Sequence, residues 1–237
     1  MSKISEAVTA LQNGQFVLIH DATNRENEID MVVSAEKIFP HHISVMRKDA
    51  GGLICTAISA EISTRLAIPY MYEILENFGK TNSVISSITK NSSPYGDKPS
   101  FSITLNHKNT YTGITDYDRS LTISSLAKTC KELDMGIKDD ATIIDEFQNN
   151  FVTPGHVPLL IASKGLFRER IGHTEMSIFL MRIANITSIS TICEMLDPVN
   201  YKALSYADAC KYAKDKNIVM LDSQDLISYT TSNLNMK

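Results

Sequence analysis

Ten residues, Asp21 to Asp30 (DATNRENEID), carry four carboxylates, Asp21, Glu26, Glu28 and Asp30, together with the guanidinium of Arg25. The chain then runs directly into MVVSA, an apolar stretch that belongs in a core. An extended segment sends alternate side chains to one face, so Glu26, Glu28 and Asp30 can converge there while Arg25 points elsewhere or closes the turn. Asn27, inside the run, tolerates positive φ better than most residues. Crowded carboxylates repel, and a divalent cation relieves that repulsion. A solvated turn ahead of a strand is the plain alternative. Against it stands the position of these acids at the mouth of a buried strand.

The chain has 237 residues, 43% hydrophobic and 21% charged, ample for a core. A net charge of -4 and the lack of any Lys/Arg block argue against a nucleic-acid partner held mainly by phosphate contacts. No apolar run is long enough to span a bilayer, and MSKISEAVTALQNG lacks the apolar centre of a secretory signal. No membrane partner and a cytoplasmic location are expected. Cys55, Cys130, Cys193 and Cys210 show no zinc-knuckle or redox-dithiol spacing, which predicts reduced thiols. Cys193 in ITSISTICEML reads as core packing, as does Cys55 in GGLICTA, although its glycine-flanked setting also allows it to open onto a pocket.

Ile4, Ala7, Val8 and Leu11 recur at helical spacing, and Gly14 supplies a stop. FVLIH, MVVSA and LICTAIS read as strands, with a helix from Pro40 to Ala50 between the last two. From Lys80 to Pro99 the composition turns to Ser, Asn, Lys and Pro, and the expectation is a mobile excursion within one domain spanning 1–237. Beyond the strand FSITL, YTGITDYDRS is expected to be a tight loop feeding a helix through about Leu133. VPLLIAS reads as a strand, HTEMSIFLMRIAN as a helix with the apolar stripe Met176, Phe179, Leu180 and Ile183, and ITSISTICEML as a strand. A helix from Ser205, the strand IVML and a short helix from Ser223 follow. The pattern predicts a mixed α/β fold.

Three further stretches offer chemistry. In RERIGHTE, Gly172 permits close backbone approach and the following helix presents N–H groups at its first turn, a geometry that suits a phosphate. Arg170 and Thr174 can add hydrogen bonds and His173 a metal nitrogen; a helix entry with His173 merely capping or packing is the alternative. His156 in TPGHVP either satisfies a loop or acts as a general acid or base. Glu194 ends an apolar strand, so it needs a cation, an arginine, a raised pKa or an edge position facing water.

Together these stretches resemble the 3,4-dihydroxy-2-butanone 4-phosphate synthase family of riboflavin biosynthesis. The resemblance rests on DATNRENEIDMV, RKDAGGLICTA, TGITDYDRS, TPGHV, RIGHTE and CEM, in that order, from Asp21 to Met195. It implies conversion of D-ribulose 5-phosphate into formate and L-3,4-dihydroxy-2-butanone 4-phosphate by a lyase that uses magnesium, with manganese as the other candidate cation and no organic cofactor. It also implies a single domain with a mixed sheet flanked by helices, and a homodimer. Carried over by motif, Glu26 and His173 hold the metal. Arg25, Glu26, Asp30, Arg170, Ile171, Gly172, His173, Thr174 and Glu194 bind the sugar phosphate. His156 and Glu194 match positions essential to the chemistry, and Asp21, Glu28, Cys55 and the Asp118–Arg119 pair are further pocket residues. No segment resembles a GTP cyclohydrolase II domain, so the stand-alone form is expected.

Such a reaction must take a proton next to a ketone, stabilise negative charge on neighbouring oxygens, expel a hydroxyl, rearrange the skeleton and release formate, which explains a crowd of acids. Another metal-dependent sugar-phosphate lyase or isomerase, or a non-catalytic sugar-phosphate-binding protein, could use the same residues. A Cys55–His156 thiol hydrolase is the weakest rival, since nothing in the sequence brings the two together.

Overall fold

The computed structural model describes residues 2–89 and 96–234. Among them, seven strands form one mixed sheet: β1 (Val17–His20), β2 (Ile29–Ser34), β3 (Cys55–Ile58), β4 (Phe101–His107), β5 (Phe151–Ile161), β6 (Ile189–Glu194) and β7 (Val219–Asp222). Their spatial order is β4-β5-β3-β6-β2-β1-β7. The β1–β7 and β3–β5 pairs are parallel, and the others are antiparallel. The helices are α1 (Lys3–Gln12), α2 (Pro40–Val45), α3 (Ala60–Arg65), α4 (Met71–Gly79), α5 (Ser83–Ile88), α6 (Asp116–Asp134), α7 (Asp140–Asn150), α8 (His173–Ile183), α9 (Tyr206–Lys216) and α10 (Ser223–Leu234).

Local chemistry sets several of the boundaries. The side chains of Ser2, Thr115 and Ser205 accept backbone N–H groups of the first turns of α1, α6 and α9, satisfying donors that a helix start leaves over. Beyond α2 a π turn, Met46–Ala50, ends at Gly51 with φ 88°, a conformation that glycine adopts without steric cost.

Strands β2 and β6 lie inside the sheet and are covered on both faces, which is why MVV and ISTIC read as near-continuous apolar runs. The two-residue alternation of each strand then decides what faces which layer. Met31, Val33 and Cys193 join one core with Ile123, Leu126, Cys130 and Leu133 of α6. Val32 and Ile192 join the other core, with Met176, Leu180 and Met181 of α8 and Ala7 and Leu11 of α1. Asp30 and Glu194, two residues from Val32 and Ile192, therefore share the α8 side of the sheet. That alternation places the site.

Four helices fall outside the sequence reading. Helices α3 and α5 are six residues long, too short to show a helical period, while α4 buries no residue and α7 buries only Ile143. The excursion expected over residues 80–99 contains α5, capped by the Asn82 side chain on Ile85 N–H at 3.1 Å; residues 90–95 of it lie outside the described residues. The TPGHV stretch is also not a loop. It lies within β5, where the register against β4 slips between Leu105 and Asn106, and such an irregularity accommodates proline and glycine inside a strand.

Candidate active site

The acidic run folds into a loop closed on itself. Asp21 is buried, and its two carboxylate oxygens accept the N–H groups of Glu26 and Glu28, each at 3.0 Å. Its backbone N–H donates to the Glu28 carbonyl at 3.3 Å, and Asn27 takes φ 56° to make the turn. Asp21 thus organises the loop, and its neighbours carry the charge outward. Arg25 lies 3.3 Å from Asp21, 3.1 Å from Glu26 and 3.2 Å from Asp97.

Opposite the loop, His173 is the first residue of α8. Its Nε2 stands 3.3 Å from the Glu28 carbonyl, which can only accept, so Nε2 carries a hydrogen. This leaves Nδ1 facing Glu26 Oε2 at 3.3 Å and Asp30 Oδ1 at 3.6 Å. A backbone partner that fixes the ring in this way is the usual support of a metal-binding imidazole. One ligand atom each from Asp21, Glu26 and His173 lie within 4.8 Å of one another.

Across the sheet, Asp30 on β2 is directly paired with Glu194 on β6. Like charges at such a position destabilise a sheet unless something neutralises them. Glu194 is held by the Leu53 N–H at 2.8 Å, whereas the buried Asp30 Oδ1 has no hydrogen-bond partner among the described residues. Burial, reinforced by Glu194, Glu26 and Glu28 and partly offset by His173, pushes Asp30 up to about 7. Glu28 is raised by burial and then by Glu26 and Glu194. Burial alone favours a neutral His173 ring, but Asp30, Glu26 and Asp21 overcome it and raise the group to about 9. The site carries more negative charge than its own cations neutralise, and a divalent cation fits that deficit. Glu26 and His173 are the donors best placed to hold it, since both Asp21 oxygens are engaged within the loop.

The RIGHT segment builds the other wall. Arg170 Nη1 donates to Ser100 Oγ at 2.7 Å and to Glu175 Oε2 at 2.8 Å, and its Nε lies 3.4 Å from Asp97. Glu175 also accepts the N–H groups of Gly172 at 3.2 Å and Ser163 at 2.9 Å. A Cβ at residue 172 would stand 2.6 Å from Arg170 Nη1 and 2.8 Å from Glu175 Oε2, so glycine here lets the pair close over the helix start. Ile171 lines an adjoining hollow with Arg25 and Arg170. A cleft of about 210 Å³ unites Glu26, Asp30, Arg170, His173, Thr174 and Glu194.

Other expected residues are placed differently. Cys55 is buried in the core with Ala57 and Ile192, and burial, with Glu194 and Asp30 nearby, pushes its thiol far up. His156 is exposed on β5, its backbone N–H donating to Asn106 Oδ1 at 2.8 Å and its ring against the same amide, and it is not among the residues lining the cleft. Asp118 and Arg119 also lie outside the cleft lining. Asp118 accepts the Gly113 and Thr112 N–H groups and Arg119 reaches Asp116, so the pair secures the start of α6. Conversely, Asp97, Ser100 and Glu175 escaped sequence reasoning. Glu175, three residues past Gly172, carries the one available signal, the glutamate spacing of a helix N-terminus.

These features match a known family. The family model described as 3,4-dihydroxy-2-butanone 4-phosphate synthase matches residues 5–229, and the chain belongs to that family. A synthase of that name from Methanothermobacter thermautotrophicus is 46% identical over 224 residues, covering 94% of both chains. Another, from Methanosarcina acetivorans, is 38% identical and covers 94% of this chain and 89% of its own. Among solved structures, a 3,4-dihydroxy-2-butanone 4-phosphate synthase in complex with two magnesium ions aligns with TM-score 0.73 at 26% identity over 98% of each chain. The enzyme from Candida albicans aligns with TM-score 0.73 at 26% identity, covering 97% of this chain and 98% of its own.

Proposed function

We propose that this chain is a lyase that converts D-ribulose 5-phosphate to L-3,4-dihydroxy-2-butanone 4-phosphate and formate in riboflavin biosynthesis. One observation carries the reading: the loop Asp21–Asp30 and the start of α8, more than a hundred residues apart in sequence, meet at Glu26 and His173, 3.3 Å apart beside the buried Asp30. Magnesium is the cation favoured, because a magnesium-bound relative shares the fold and carboxylates crowd the site; manganese is the alternative. When bound, it stabilises negative charge developing on neighbouring substrate oxygens. Arg25 and Arg170 face the adjoining hollow and suit the phosphate, whose binding energy orients the reacting end without reacting itself. Gly172, Ile171 and Thr174 shape that wall. Asp30, raised toward neutrality, suits a group that takes and returns a proton near neutral pH. Glu28 and Glu194 offer further carboxylates at the same mouth.

A homodimer in the cytoplasm is the expected setting. His156 shares the β4–β5 edge with the exposed Phe101 and Val152, and it enters the chemistry only if a second copy brings that edge to a cleft. Purified protein incubated with ribulose 5-phosphate and magnesium should release formate and the four-carbon phosphate. Glu26→Ala should abolish metal-dependent turnover while the chain stays folded, and Glu194→Gln should severely slow formate release. Wild-type turnover in both variants would reject the assignment, and isomerised sugar phosphate without formate would favour another sugar-phosphate enzyme.

A further inference from the structure

We propose that His20 and Asn27 form a clasp that positions the acidic loop for the cation, an inference that rests on the cation site proposed above. The loop is gripped from both faces of the sheet. On the α8 side, His173 holds the Glu28 carbonyl. His20 ends β1 on the opposite side, because strand alternation places it with Leu18 in the α6 layer rather than with Ile19 in the α8 layer. Its Nε2 lies 3.2 Å from Asn27 Oδ1, and Asn27 sits between Glu26 and Glu28.

The imidazole is itself held. Nδ1 lies 3.1 Å from Asp222 Oδ1, and the β1–β7 register sets His20 directly beside Asp222. Tyr206 donates its hydroxyl to the other Asp222 oxygen at 3.1 Å and packs edge-on against the ring, centroids 4.9 Å apart. A line of contacts therefore runs from α9 through Tyr206, Asp222 and His20 to the loop. Asn27 is exposed and its φ is 56°, so its backbone conformation suits glycine equally well. What asparagine adds is the side-chain amide that reaches His20. Fixing Asn27 fixes the peptide groups on either side of it, and with them the direction in which Glu26 leaves the loop. His20 and Asn27 are positioning residues that act through Glu26 and touch no substrate.

The test measures Mn2+ binding by the loss of the free-ion electron paramagnetic resonance signal, together with amide hydrogen exchange of residues 22–28 in the metal-free protein. Asn27→Gly keeps the turn and removes the clasp. His20→Gln keeps a donor near the Nε2 position, whereas His20→Asn keeps one only near Nδ1. Loss of a group hydrogen-bonded directly to a metal ligand weakens binding about 10–100-fold; the clasp acts one residue further out, and a loss near the low end, about tenfold, is expected for Asn27→Gly and His20→Asn, with His20→Gln close to the parent. Exchange in the loop should accelerate in the two weakened variants alone. If the parent itself binds no Mn2+, the cation reading fails and the clasp falls with it. If the parent binds and Asn27→Gly matches it in affinity and exchange, the clasp alone is overturned; Asn27 is exposed, so misfolding does not cloud that variant. Equal weakening in His20→Gln would also overturn it, because ring bulk rather than the Nε2 contact would then be responsible.

Discussion

Glu175→Gln isolates the charge that holds Arg170 in place. Glu175 is 0% exposed, and its carboxylate accepts three hydrogen bonds, from Arg170, Gly172 and Ser163. Glutamine preserves the volume but offers one acceptor oxygen. Its best orientation points that oxygen at Arg170 and Gly172 and turns the amide NH2 against the Ser163 N–H. The part-buried Ser163 N–H and the NH2 facing it are then left without an acceptor, costing about 1–3 kcal/mol, and the bond to Arg170 loses its charge assistance, about 1 kcal/mol more. The sum, about 3 kcal/mol, matches the cost of breaking a buried ion pair. For a chain of this length each kcal/mol moves Tm by about 2–4 °C, so a fall of about 6–12 °C is expected by calorimetry. Arg170 keeps Ser100 and the half-exposed Asp97, so the variant should still fold, with a raised KM for ribulose 5-phosphate and a smaller change in kcat. A Tm within about 2 °C of wild type, with KM unchanged, would refute the claim that Glu175 fixes the arginine.

Three further outcomes are expected. In the metal-free chain, Asp30 is raised from 3.8 to about 7 and His173 from 6.5 to about 9. The folded state thus keeps protons that the unfolded state gives up, and stability should decline as pH rises through those windows, by at most about 1.4 kcal/mol per pH unit for each group. Urea unfolding in EDTA at about pH 6 and about pH 9 checks this, and equal or greater stability at the higher pH contradicts it. Magnesium should restore stability most at the higher pH, where its ligands have shed their protons. Gly52→Ala should cripple formate release, because the new Cβ would stand 2.6 Å from both the Glu194 carboxylate and its carbonyl oxygen, and overpacking of this kind costs about 1–3 kcal/mol.

What the sequence determined by itself was local. Short apolar runs mark the strands around MVVSA, LICTAIS and ITSISTICEML, a cap marks the helix from Ser205, and the Asp21–Asp30 run declares its charge without any coordinates. Helices α4, α5 and α7 stayed hidden because they bury almost nothing, and α3 because its six residues are too few to show a helical period. Residue patterns alone showed the site only as separate fragments, which the family resemblance joined without giving their geometry. Strand order is set by packing between distant segments, and that order pairs Asp30 with Glu194, seats His173 over Glu28, and draws Asp97 and Glu175 around Arg170. The same order leaves His156 on another strand of the sheet and sinks Cys55 into the core, although both lie in motifs as distinctive as the rest. A motif specifies side-chain chemistry, but the cost of burying a charge, and the partners that offset it, exist only once the sheet has assembled.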